Sequence, residues 1–100
     1  MAELRLTPEA NADLEEITVF SLDRFGRATA DRYLSEFEGT FEILERYPDS
    51  GSIYSGITPE VRSIRCGSHR IFYRVAEGVV TVTRILHFAR DTKRAFSGRH

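Results

Sequence analysis

One hundred residues, 41% of them hydrophobic and eleven of them aromatic, fit one folded domain and argue against a disordered chain. A lone cysteine excludes an internal disulfide and a cysteine-cluster zinc site, and no apolar run reaches the ~20 residues that span a bilayer. The formal net charge of −1 hides an asymmetry: residues 61–100 hold nine Arg/Lys against two acids (+7), and residues 1–60 hold five Arg against thirteen Asp/Glu (−8).

In chain order, Glu3-Leu4-Arg5-Leu6 alternates polar and apolar and predicts a short first strand. Thr7-Pro8-Glu9 predicts a helix start. Thr7 can cap, Pro8 suits the first helical position, and Glu9 complements the positive end of the helix dipole. Ala10, Leu14, Ile17, Ser21 and Phe25 follow at spacings of three and four, and Gly26 is a stop. A second helix is predicted from about Arg27 to Tyr47, with Ala30, Leu34, Phe37, Phe41 and Leu44 on its apolar stripe. The short connection implies an antiparallel helical hairpin. Residues 50–59, with Gly51, Gly56 and Pro59, read as a loop.

Three strands are then expected, at about Val61–Cys66, Arg70–Val75 and Val79–Leu86. Gly67-Ser68 and Glu77-Gly78 supply the turns. Alternation puts Ile71, Tyr73 and Val75 toward the helices and Arg70, Phe72 and Arg74 on the opposite, open face. It leaves the side taken by Arg84 unsettled. The order β-α-α-β-β-β gives an α+β fold, a helical hairpin on a small antiparallel sheet, as a single domain over residues 1–100.

Arg65, Arg70, His87 and Arg90 form the constellation with chemical potential. A histidine among guanidiniums suits phosphodiester chemistry, with arginine stabilising a pentacoordinate phosphate, or phosphate binding without turnover. The competing reading pairs these arginines with helix carboxylates such as Glu15, Glu16, Glu38 and Glu42. Cys66 lies in an apolar strand pattern and reads as a buried thiol. His69, at a turn, is expected to face solvent. The three histidines are too scattered to suggest a metal site. With no apolar signal-like stretch at its start, the chain reads as cytoplasmic, without a membrane partner.

The ordered segments Leu6-Thr7-Pro8-Glu9-Ala10, Ala12-Asp13-Leu14, Tyr33-Leu34, Tyr47-Pro48, Gly67-Ser68-His69-Arg70-Ile71-Phe72-Tyr73-Arg74-Val75 and Arg84-Ile85-Leu86-His87, with Arg90-Asp91, resemble the ParE branch of the RelE/ParE toxin superfamily. The resemblance implies a toxin that inhibits DNA gyrase by binding and is neutralised by a ParD-like antitoxin. It implies no cofactor and no sequence-specific DNA binding by this chain. Arg65, Arg70, Arg74, Arg84, His87, Phe88, Arg90, Lys93 and Arg94 are the residues expected to meet target or antitoxin. The alternatives are a RelE-like, ribosome-dependent mRNA endoribonuclease using Arg65, Arg70, His87 and Arg90, or a degenerate toxin that only binds antitoxin. The sequence lacks the lysine and tyrosine of the lysine-dependent nucleases, which favours binding over turnover.

Overall fold

A computed structural model describes residues 1–54, 56 and 59–87. The chain runs through β1 (Glu3–Leu6), α1 (Pro8–Phe25), α2 (Arg27–Arg46), a 3-10 turn (Pro48–Ser50), β2 (Ser52–Tyr54), β3 (Val61–Cys66), β4 (His69–Ala76) and β5 (Val79–His87). The two helices pack on a five-stranded sheet of order β1-β5-β4-β3-β2.

The α+β fold and the helical hairpin match the sequence expectation, with two refinements to the sheet. β1 joins it in parallel with β5, Glu3 opposite Val79 through Leu6 opposite Val82, so the sheet is mixed and not purely antiparallel. β2 lies inside the segment expected to be a loop and pairs with β3. Turn chemistry specifies hairpin neighbours, but it carries no information about a strand that returns from the far end of the chain.

Thr7 starts α1 as its sequence predicts. Its Oγ1 accepts from the Ala10 N–H at 3.1 Å and donates to the Thr83 carbonyl at 3.0 Å, so one hydroxyl caps the helix and fastens it to β5. Gly26, at φ 86°, ends α1 and opens α2 in a single residue. A left-handed φ of this kind is readily adopted only by glycine, which makes so tight a reversal possible. Ala10 and Ile17 of α1, with Phe37 and Leu44 of α2, are buried in one cluster with Ile71, Tyr73, Val80, Val82 and Ile85, and Ser21 and Ala30 are buried as well. Each large apolar side chain fully buried in such a core contributes about 1.5–3 kcal/mol relative to exposure.

A β-bulge resolves the ambiguity in β5. Phe72 faces Arg84 and Tyr73 faces Val82, which leaves Thr83 as the extra residue. Before the bulge Val80 and Val82 face the core; after it Ile85 does. The inserted residue inverts the alternation, which is why Val80, Val82, Arg84 and Leu86 do not share one face. The helix-free side is not open as expected. Val61, Phe72 and Leu86 form a second buried cluster there, with the Tyr54 ring edge-on to Phe72 at 5.2 Å. Val75, expected to face the helices, is 38% exposed near the end of its strand.

Candidate functional site

The sheet places arginines by register. Arg65 and Arg70 stand directly opposite on β3 and β4. Like charges so placed repel, so a neighbouring anion or acceptor is favoured. Arg65 Nε donates to the Gly67 carbonyl at 3.0 Å, and Arg70 Nη1 donates to Ser63 Oγ at 3.2 Å. Arg74 is exposed at the other end of β4, opposite Thr81.

Arg84 is differently employed. Its Nε and Nη2 donate to the two carboxylate oxygens of Asp13 at 2.8 and 3.1 Å, and the Ile85 N–H donates to Asp13 Oδ2 at 2.9 Å. β1 covers β5 only from Val79 to Val82, so Asp13 supplies an acceptor on the uncovered stretch of strand edge. Donating to the Asp13 carboxylate holds the Arg84 guanidinium above its ordinary pKa, against the opposing cost of burial. The carboxylate partner is therefore Asp13, which the sequence reading did not choose.

The histidines come together on the helix side. His69 and His87 are register partners on β4 and β5, with ring centroids 5.3 Å apart and planes at 83°. His69 does not face solvent as expected. It packs against Tyr33 and Phe37 of α2, and its Nδ1 lies 2.7 Å from the Tyr33 hydroxyl. Burial pushes the His69 imidazole below its ordinary pKa, and the nearby His87 adds to this. Tyr33 is the hub of this corner. Its hydroxyl also contacts the Cys66 carbonyl at 3.2 Å and accepts from the Ser68 N–H at 3.1 Å. Gly67 makes room for it, since a Cβ there would sit 2.5 Å from the Tyr33 ring.

These groups floor a groove of about 650 Å³ between the joined end of the helical hairpin and the end of the sheet. Ile17, Phe20 and Phe25 of α1 form its apolar wall, with Glu16, Arg32 and Glu36 among the charged groups around it. Phe20 and Phe25 are 54% and 61% exposed, unusual for rings of this size on an amphipathic helix.

The structure thus divides the constellation expected from sequence. Arg65 and Arg70 come together. His87 lies across from His69 while Arg70 lies across from Leu86, so strand alternation puts the histidine and Arg70 on opposite faces. Phe88, Arg90, Lys93 and Arg94 lie outside the described residues. Sequence reasoning missed Asp13, Tyr33 and His69. The available signal was Asp13 on the same helical stripe as Ala10 and Ile17, where a carboxylate needs a partner. Cys66 is buried as expected, and burial raises its thiol pKa.

Residues 4–92 match the family described as the ParE toxin of the type II toxin-antitoxin system parDE. Toxin ParE1 of Mycobacterium tuberculosis is 39% identical over 90 residues, which cover 89% of this chain and 92% of that protein. Toxin ParE1 of Caulobacter vibrioides is 36% identical over 88 residues, covering 87% and 90%. A solved structure titled as the chromosomal ParDE TA system from P. aeruginosa superposes with a TM-score of 0.74 at 21% identity, covering 87% of this chain and 96% of that one, a likeness of fold. With its helical hairpin on a mixed sheet and a family match that runs from β1 past β5, this chain belongs to the ParE toxins of type II toxin–antitoxin systems.

Proposed function

We propose that this toxin acts in the cytoplasm by binding DNA gyrase through the arginine-bearing end of its sheet, without turning over a substrate, and that a ParD-like antitoxin neutralises it. The observation that carries this reading is the division of the basic constellation. Arg65 and Arg70 are paired on one face, His87 sits on the other, and Arg84 is neutralised by Asp13. An acid–base mechanism on a phosphodiester needs its proton-transfer group and its arginine at one reacting atom. A binding surface needs only the positive charge.

The apolar groove along the hairpin, with Phe20 and Phe25 exposed, suits an amphipathic antitoxin segment, and an acidic stretch of the same partner suits the arginines. The purified toxin should block gyrase supercoiling and leave ribosome-bound mRNA intact, and added antitoxin should restore supercoiling. Site-specific mRNA cleavage that is lost in Arg70→Ala, with gyrase unaffected, would reverse the assignment to a RelE-like nuclease.

A further inference from the structure

We propose that the solvent face of α2 is a self-association surface, on which a second copy of this chain docks antiparallel about a two-fold axis. Glu36, Gly39, Ile43 and Arg46 recur at spacings of three and four, and all four are exposed. They form one stripe on the side of α2 away from buried Phe37 and Leu44. Ile43 is 45% exposed and Tyr47, one turn on, is 65% exposed, so this side of the helix carries apolar area that the chain itself leaves uncovered.

Gly39 is the second observation. Glycine in the middle of a helix costs stability relative to alanine. Its φ is not left-handed, and a Cβ there would meet nothing within 4 Å, so neither backbone geometry nor internal packing requires a glycine. The missing side chain leaves a notch in the helix surface, open to a side chain from outside.

The stripe is complementary to its own reverse. In an antiparallel pair of helices with such a seam, successive residues of one stripe meet those of the other in opposite order. Setting Ile43 opposite the second copy's Gly39 also sets Glu36 opposite the second copy's Arg46, and the two-fold axis repeats both contacts. Each Ile43 then enters the other's notch, with an ion pair at either end. Neither Glu36 nor Arg46 forms an ion pair among the described residues of the single chain. A two-fold interface needs a patch that complements itself, and acid, notch, knob and base stand here in the one order that reversal permits. A single helix seam is a small interface, and Glu42 flanks it near its own copy, so the dimer is a weak one.

The inference does not depend on gyrase or on an antitoxin, and its test needs neither. Sedimentation of the full-length chain from about 1 μM to 1 mM should show a reversible monomer–dimer equilibrium. Glu36→Arg and Arg46→Glu each put like charges at both ends of the seam, and each should weaken the dimer at least about tenfold. The double swap, Glu36→Arg with Arg46→Glu, should restore it. Gly39→Leu fills the notch and should also weaken the dimer at least about tenfold, while the melting temperature of the dilute chain holds or rises, since leucine is the better helix former. Circular dichroism checks that each variant is folded. A chain that stays monomeric over the whole range would overturn the proposal and leave this face to a partner of another sequence. A dimer indifferent to both single charge reversals and to Gly39→Leu, or a folded double swap that stays monomeric, would overturn it as well.

Discussion

Asp13 ties α1 to β5. One carboxylate takes two guanidinium donors and a strand-edge N–H, and its side chain is only 11% exposed. Asp13→Ala leaves Arg84 and the Ile85 N–H without their acceptor. Arg84 is 25% exposed, so water recovers part of the loss, and the cost should be about 2–4 kcal/mol in urea unfolding. Asp13→Asn keeps an acceptor oxygen and should cost less than the alanine. Equal stability of all three proteins would show that the pair contributes nothing. Two buried hydroxyl and thiol groups set the alkaline limit. Burial raises both the Cys66 thiol and the Tyr73 phenol from ordinary values of 9.0 and 10.0. The folded chain keeps these protons where the unfolded chain has lost them. Stability should hold below pH 9, then fall as pH rises through each unfolded value toward the folded one. Thermal melts from pH 7 to 11 check this, and Cys66→Ala should remove the earlier part of the decline. A melting temperature flat to pH 11 would contradict the burial argument.

At the scale of elements, the two hairpin turns differ in how well their residues suit them. Glu77 and Gly78 both have left-handed φ, 51° and 77°, the pattern of a type I′ turn that prefers Asn-Gly. Glutamate is strained there, so Glu77→Asn should raise stability by about 0.5–1 kcal/mol. Gly67 has φ 59° and lies against the Tyr33 ring, so Gly67→Ala should cost about 2–3 kcal/mol and loosen the His69 corner. Melting temperatures that move the opposite way for either variant would sink the turn assignments. The contrast also shows what sequence could reach. Both helices and the β3–β5 meander were legible because Thr7-Pro8, Gly26, Gly67-Ser68 and Glu77-Gly78 mark their ends with local chemistry. β2 was not, because three residues flanked by Gly51 and Gly56 carry too little periodicity to stand out from a loop. The bulge at Thr83 was not either. There the Thr83 carbonyl accepts from the Thr7 hydroxyl and Thr83 Oγ1 donates to the Phe72 carbonyl, contacts that exist only in three dimensions. That one residue decided on which side of the sheet His87 would lie, so the candidate site could not be assembled correctly from alternation alone.

Across the whole molecule, the charge asymmetry read from sequence is only partly spent on internal pairing. Asp13 of α1 neutralises Arg84, and Asp49 of the 3-10 turn approaches Arg62 at 3.7 Å, so acidic groups of the first half do meet the sheet, through carboxylates other than the glutamates expected. Arg65 and Arg70 face each other across β3 and β4. On the proposed reading this arginine pair is where an anionic surface of the target would dock. This gives the double variant Arg65→Ala, Arg70→Ala a distinctive signature. It should remain folded, since the contacts to Gly67 and Ser63 that it loses lie at the sheet surface and outside the apolar core. It should also bind its target more weakly. Charge-assisted hydrogen bonds are worth about 1.5–3 kcal/mol each, so the loss of even one predicts at least about a tenfold weaker inhibition of gyrase supercoiling. The wild-type inhibition should fall with added salt, and the variant's residual inhibition should fall less steeply, since fewer charges remain to be screened. Growth assays at matched soluble expression, run beside supercoiling assays at several salt concentrations, separate this from a stability effect. Undiminished growth arrest in a folded double variant would move the target surface away from this end of the sheet and toward the hairpin groove.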